Sequence, residues 1–331
     1  MAEWNENKLE QELEHLIEDM PMQAELEQKI QQSITRRIKR TTGITVLAIL
    51  LVVAVLFLCI SPLMDLMFLD PTQPGKGKQK LTFAVLRDYW ETTEPYVDLV
   101  SLQVEKRGFG CYDLAMQVVD RRGPVQVGKT NLWMELNRGT YENRQDAEGH
   151  FIHHMGRFEQ NTDAEQKEAL IRSLLELPGS SLVYLSVAEA QARNIEALRQ
   201  EPVRLHWVQV YQPNVEFQGG LSMLLTAAYE QEDRRESLSA EELLQVYRSN
   251  LKNLLDHREI WEEFHLTDGS SIMYTAASGV LEKTYEDAQT LQALTVQNYC
   301  ISGTRDEIIA YLQRTEVTSV RVDEVRLSKW N

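Results

Sequence analysis

The chain has 331 residues, with 34 Lys and Arg against 50 Asp and Glu, and a formal net charge of −16. This acidic balance argues against a nucleic-acid-binding protein, because neutralising phosphates requires clustered positive charge. Hydrophobic residues make up 43% of the sequence, which is enough for a folded core and excludes a disordered chain.

One segment departs sharply from this composition. Thr41 to Met64 reads TTGITVLAILLVVAVLFLCISPLM, without a single charge, and as a helix it would extend about 36 Å. A cleaved signal peptide has a shorter apolar region close to the N-terminus, whereas here about forty residues rich in Glu come first. The run therefore predicts a retained transmembrane helix over 41–64 rather than a core helix.

The charges beside this run predict its orientation. Asp65 and Asp70 follow the run, and a basic cluster directly precedes it: Arg36, Arg37, Lys39 and Arg40. Positive residues are retained on the cytoplasmic side of membrane helices. We therefore expect a cell-membrane protein with its N-terminus in the cytoplasm and its C-terminal region outside.

Residues 1–40 are predicted to form a short helical cytoplasmic tail with one apolar stripe. Spacings of three and four residues place the stripe on one helix face: Leu9, Leu13, Leu16, Ile17 and Met20. Pro21 is expected to interrupt the helix, with a second helix starting at Ala24. So narrow a stripe cannot form a core of its own, so we expect it to bind another protein or a second copy of the chain.

The sequence after the run predicts a linker over 65–80 and then an α+β extracytoplasmic region. Residues 81–160 are typical of a β-rich subdomain, with a hairpin formed by Val97 to Lys106 and Cys111 to Asp120. Residues 161–331 alternate between the two types and predict an α/β subdomain.

Two helices of the second subdomain are predicted from different signals. Ser239 and Glu242 have the spacing of a capping box, and they predict the start of a helix that reaches Leu255. A helix is also expected over 188–199, between strands that begin near Ser181 and Val203.

The sequence GPVQVGKT, from Gly123 to Thr130, formally matches a phosphate-binding loop. Such a loop needs a strand before it and a helix directly after its Lys and Thr. Here Val125 to Val127 favour a strand, and the following NLWMELNRG is a weak helix start. We interpret the segment as a hairpin turn with a surface lysine.

Histidines and cysteines give no specific metal or catalytic pattern. His150, His153 and His154 lie in HFIHH. His150 and His154 would share a helix face but His153 would diverge from it, so a solvated helix end is favoured over a metal site. Cys59 lies inside the apolar run. Cys111 and Cys300 fall in predicted strands outside it, where they can form a disulfide or stay buried as small apolar residues. We expect no enzyme, no metal and no cofactor.

Three stretches carry a family resemblance: IQQSITRRIKRTTGITVLAILLVV at the apolar run, VRLHWVQVYQP from Val203, and YCISGTRDEIIAYLQRTEVTSVRVDEVRLSKW near the C-terminus. They resemble the sigma factor regulator family of Gram-positive bacteria, membrane-anchored anti-sigma factor-like proteins with N-terminal and C-terminal regulator domains. In the last stretch a strand, a helix capped by Thr304 and a final strand are expected.

The resemblance implies a cytoplasmic segment that restrains an extracytoplasmic-function sigma factor and an outer domain that senses or binds a partner. The leading hypothesis is a transmembrane regulator whose Leu9-to-Met20 stripe binds a cytosolic sigma factor. The stripe could instead mediate self-association. The alternative function is a cell-envelope binding or assembly protein, for which the tail and the transmembrane helix serve only as an anchor.

Overall fold

The computed structural model of this protein describes residues 6–75, 80–122, 125–143, 158, 161–215, 217–223, 235–262 and 279–327. The chain divides into two compact units, Met1–Leu63 and Met64–Asn331. The fold is mixed α+β with antiparallel sheets, which confirms the predicted class.

The N-terminal unit is built on one long helix, α1 (Glu6–Val55). A π-helical turn at Leu56–Ile60 and the short α2 (Ser61–Met67) continue the helical backbone. Among the described helices, the segment Glu25–Met67 is the one long and apolar enough to cross a membrane. Its apolar side chains are exposed, for example 65% at Leu47 and 76% at Leu58.

The predicted interruption at Pro21 was wrong. α1 runs without a break from Glu6 through Pro21 to the apolar run. Proline removes one backbone donor and crowds the preceding turn, but a helix with many bonded turns on both sides can keep its path. The tail and the apolar run therefore belong to one helix.

The C-terminal unit begins with a turn and a helix. Asp70 Oδ1 accepts hydrogen bonds from the Thr72 amide and hydroxyl, at 2.8 and 2.6 Å, which forms an Asx turn. Helix α3 (Leu81–Thr93) follows. The sequence analysis did not predict this helix and placed the segment in a β-rich subdomain. Eight of its thirteen residues are buried, so it lies inside the unit rather than on its surface.

The first sheet is a four-stranded antiparallel meander in the order β1-β2-β3-β4. Its strands are β1 (Val97–Gly108), β2 (Cys111–Arg122), β3 (Val125–Asn137) and β4 (Thr140–Asn143). The predicted hairpin between β1 and β2 is confirmed. Gly108 pairs with Cys111, and the two loop residues Phe109 and Gly110 have φ of 56° and 73°, the positive values that a two-residue hairpin turn requires.

The second sheet has five antiparallel strands in the order β7-β6-β8-β5-β9. Its strands and helices are α4 (Ala164–Leu175), β5 (Leu182–Asn194), α5 (Ile195–Leu198), β6 (Arg204–Val210), β7 (Gly220–Ser222), α6 (Ala240–Asp256), α7 (Val280–Thr290), β8 (Thr295–Thr304), α8 (Arg305–Arg314) and β9 (Val317–Arg326). Ser239 starts α6 with a capping box and Thr304 caps α8, as the sequence predicts, and at Thr304 the structure adds Glu307 as the second residue of a capping box.

The predicted helix over 188–199 was wrong for most of its length. β5 continues to Asn194, and only Ile195–Leu198 is helical. The segment pairs with β8 and β9 on its two sides, and Glu189 accepts hydrogen bonds from the buried hydroxyls of Tyr299 and Tyr311. These tertiary contacts override the helix-forming composition of the segment.

One apolar core contains residues from both sheets. Leu114 and Met134 of the first sheet belong to the same buried cluster as Leu185 and Ile301 of the second. Helix α3 contacts β1, β7 and α6, so it packs against elements associated with both sheets.

Candidate functional site

The residues of the predicted cytoplasmic stripe lie on the N-terminal part of α1. The backbone is helical throughout, so Leu9, Leu13, Leu16, Ile17 and Met20 occupy one face of a continuous helix. The basic residues from Arg36 to Arg40 follow on the same helix and are exposed. The structure therefore places the stripe, the basic cluster and the apolar run on one helical element.

Asp65 makes buried contacts that the sequence analysis did not predict. It lies in α2, is 7% exposed, accepts a 3.0 Å hydrogen bond from the Gly110 amide and pairs with Lys106. The bonds from Lys106 and Gly110 compensate for the burial of this carboxylate. A Cβ at Gly110 would lie 3.0 Å from the Phe68 ring, so the hairpin turn packs closely on the residue just after α2.

A cavity of about 600 Å³ opens where β5 and β6 begin and β8 ends. Leu205 and Met223 contribute apolar walls, Arg204 is exposed at its rim, and Tyr184 and Ser302 supply polar atoms. Sites for small molecules are commonly concave and mainly apolar, with a few polar groups that fix orientation. This cavity is open to solvent and has a mainly apolar lining with a few polar groups.

Ser302 connects the cavity to a buried polar cluster on the sheet. Its hydroxyl lies 2.7 Å from His206 Nε2, and the imidazole lies between the rings of Tyr184 and Tyr96, at 5.6 and 6.3 Å. Both residues are buried, and Ser302 is the member of this pair that lines the cavity.

The same face of the sheet holds a buried carboxylate. Asp323 accepts hydrogen bonds from Ser186, at 2.6 Å, and from Tyr96, at 3.0 Å. The side chain of Asp323 is 1% exposed, and Ser186 also contacts the Cys300 thiol at 3.5 Å. These bonds join β5, β8 and β9 to Tyr96 and hold the buried polar groups of this face in place.

The acidic residues that line the cavity, Glu201 and Glu307, are bonded to other residues of the protein. Glu307 accepts a hydrogen bond from the Thr304 amide at 2.7 Å, as part of the α8 capping box. Glu201 pairs with Arg193 and Arg314, at 3.3 and 3.1 Å. Glu201 is thus paired with two arginines, whereas Glu307 is engaged in the cap of α8.

A buried charge pair lies between α3 and the second sheet. Glu91 pairs with Arg235 and also accepts bonds from the Ser222 amide, at 3.1 Å, and from Asn250, at 3.2 Å. Burial lowers the pKa of Arg235 to about 10, so its guanidinium is still charged at neutral pH. This cluster joins α3, β7 and α6 and is structural.

The structure supports the rejection of the phosphate-binding loop. Val125 to Thr130 lies within β3, Lys129 is exposed, and Val119 of β2 faces it across the hairpin. A helix is therefore missing where the loop would need one. The histidines His150, His153 and His154 lie outside the described residues, and the described residues contain no group of three or more potential metal ligands.

Cys111 and Cys300 are both free thiols, so the considered disulfide is not formed. They lie in different sheets, and each thiol contacts its own strand neighbour. Cys111 Sγ is 2.9 Å from Asn137 Oδ1, and Cys300 is buried beside Ser186. Cys59 is exposed in the π-helical turn.

The comparisons with known proteins give no relative. No protein-family model, no curated protein and no solved structure matches the chain.

Sequence reasoning missed the cavity, the Asp65 contact and the Glu91–Arg235 pair. Each depends on residues far apart in the chain, such as Ser302 with His206 or Glu91 with Arg235. Spacing along the sequence carries no signal for such pairs.

Proposed function

We propose that this chain is a single-pass membrane regulator, an anti-sigma factor-like protein that couples an extracytoplasmic binding domain to a cytosolic sigma factor. The observation that carries the proposal is the continuity of α1. One helix holds the apolar stripe, the basic cluster and the apolar run, from Glu6 to Val55. A partner of the stripe would thus bind the same helix that crosses the membrane.

The exposed apolar run supports insertion into a membrane. Apolar surface left in water costs about 25 cal/mol per Å², and the run between Ile44 and Ile60 exposes large aliphatic side chains almost continuously. The folded unit Met64–Asn331 has a buried core of its own. A lipid bilayer would remove this cost for the exposed helix.

The basic residues support the proposed orientation. An exposed basic cluster lies on α1 directly before the apolar run, formed by Arg36, Arg37, Lys39 and Arg40. Anionic lipids and the positive-inside rule both favour such a cluster in the cytoplasm. The stripe then lies in the cytosol, where a sigma factor is available.

The test is affinity capture of the intact protein, crosslinked in its own cells, beside a Leu13→Glu, Leu16→Glu double variant. Charges placed in an apolar interface lose their hydration without gaining an opposite charge, so the variant should no longer bind the sigma factor. We expect the parent to recover a sigma factor and the variant to recover at least tenfold less.

A matched control adds the same two charges away from the stripe. Gln11 and His15 lie on the far side of the helix, so a Gln11→Glu, His15→Glu variant should capture the sigma factor as the parent does. Capture of a sigma factor by all three proteins alike would show that the stripe is not the interface. If the parent recovers only copies of itself, the stripe serves self-association instead.

The alternative is a cell-envelope binding or assembly protein that uses α1 only as an anchor. It is favoured by the cavity and by the large folded unit, which could bind a ligand without the tail. In that case the parent and both variants would recover the same envelope proteins and no sigma factor.

A further inference from the structure

The four-stranded sheet has one buried face and one face open to solvent. Side chains alternate along β3, so that Leu132 and Met134 are buried in the core while Asn131 and Trp133 are exposed. The outward face continues across β2 and β1 through directly paired residues.

Trp133 is the aromatic centre of this outward face. Its side chain is 49% exposed, and its cross-strand neighbour is the small Ala115, which is paired in turn with Gln103. Because Ala115 is small, the surface beside the indole is low and flat. Large exposed aromatic residues are enriched where proteins bind other molecules.

Planar polar side chains flank Trp133 on both sides. One neighbouring row contains Gln117 and Asn131, whose amides are joined by a 3.4 Å hydrogen bond. The other contains Asp113 and Glu135, held by Arg107 at 3.5 and 3.1 Å. These groups are presented by paired strands, which hold them in place better than a loop would.

A hollow of about 360 Å³ adjoins this face. Arg107 and Glu135 line both the hollow and the outward face, and Asn137 lines the hollow farther along β3. An extended ligand on Trp133 could therefore continue into a concave region with further hydrogen-bonding groups.

We propose that this outward face binds a neutral oligosaccharide. The C–H face of a pyranose ring is apolar and fits the flat indole, while its hydroxyls can donate to carboxylates and exchange hydrogen bonds with amides. Asp113 and Glu135 together outnumber Arg107, so this row keeps a net negative charge, which disfavours acidic glycans and nucleic acids. A protein partner is less well matched, because protein interfaces have an apolar core of several residues.

This inference goes beyond the proposed function, since sugar binding by the sheet is independent of what the tail binds. The test uses the full chain in lipid nanodiscs, because sugar-headed detergents would compete. Hexamers of β-1,4-linked glucose and of N-acetylglucosamine are titrated by calorimetry and by tryptophan fluorescence, beside an acidic galacturonate hexamer. We expect saturable binding of at least one neutral hexamer and none of the acidic one.

Two variants at one position separate stacking from folding. Trp133→Ala should weaken binding at least tenfold, and Trp133→Phe should retain part of it because a smaller aromatic face remains. About half of the indole is buried, so Trp133→Ala should unfold at a lower temperature than the parent, whereas Trp133→Phe should unfold close to it. Binding is therefore compared below both unfolding temperatures. Leu175, an exposed residue of α4 outside the sheet, gives the control Leu175→Ala, which should bind as the parent does.

Three outcomes overturn the proposal. They are no saturable binding by the parent up to about 10 mM, equal binding by Trp133→Ala, and equal affinity for the acidic hexamer. The capture experiment on the tail is unaffected by any of them, so failure here leaves the regulator hypothesis standing on its own test.

Discussion

The Glu91–Arg235 pair shows how one residue pair can hold separate elements together. Glu91 is buried in α3, and its carboxylate is satisfied by groups from β7, α6 and the 3-10 turn at Arg235–Ser237. The Glu91 backbone carbonyl also accepts a 2.9 Å bond from Trp207. A buried charge is tolerated when its partners are complete, and it becomes costly when one of them is removed.

Arg235→Met is therefore expected to lower the free energy of unfolding by about 3 kcal/mol, because Glu91 stays buried without its cation. Adding Glu91→Gln should restore part of the loss, since the uncompensated charge disappears. Chemical denaturation followed by tryptophan fluorescence measures both effects.

The control for this prediction is an exposed ion pair. Lys252 and Asp256 are about half exposed on α6, so Lys252→Met should change the free energy of unfolding by no more than about 0.5 kcal/mol. A loss at Arg235 as small as this would show that the buried pair contributes little.

At the scale of elements, α1 differs from the sequence-based prediction at Pro21. A proline within a helix costs about 3 kcal/mol relative to alanine, and the sequence alone favours a break there. The structure instead keeps Pro21 inside a 50-residue helix. The cost is local, whereas the hydrogen bonds on either side continue the helix.

The continuity of α1 predicts a distance. Spin labels at Glu14 and Gln28, on either side of Pro21, should be about 21 Å apart along the helix axis, from 1.5 Å per residue. Double electron–electron resonance on the protein in nanodiscs, with its native cysteines replaced, measures this distance.

Labels at Glu25 and Lys39 have the same separation within α1 but enclose no proline, and they give the reference width of the distribution. A clearly broader or shorter distribution across Pro21 would mean that the helix is broken there. The stripe would then be able to move independently of the apolar run.

At the scale of the whole molecule, the proposed orientation predicts which residues are reachable from outside the cell. Lys129, exposed on β3, and Glu25, exposed on α1, fall on opposite sides of the apolar run. A membrane-impermeant maleimide added to intact cells should label Lys129→Cys and leave Glu25→Cys unlabelled, in a chain whose native cysteines are replaced.

Permeabilised cells provide the control, because there both cysteines should react. Labelling of Glu25→Cys but not of Lys129→Cys in intact cells would reverse the orientation and remove the sigma factor from the candidate partners. Equal labelling of both in intact cells would argue against a membrane crossing between them.

The sequence by itself determined the features that depend on near neighbours. The apolar run is recognised by its length and lack of charge, and the β1–β2 hairpin by two strand-like runs separated by four residues. The start of α6 is recognised by its capping box and the start of α8 by Thr304 as its cap. In each of these, the residues that specify the structure lie within a few positions of one another or in one continuous stretch.

Only the tertiary structure decided the rest. The segment over 188–194 has a helix-forming composition, yet it is a strand because β8 and β9 pair with it and Tyr299 and Tyr311 bind Glu189. The cavity at Ser302 and the exposed face around Trp133 likewise arise from strands distant in the chain. Burial and pairing between remote segments outweigh local propensity, and no spacing within a single sequence records which remote segments meet.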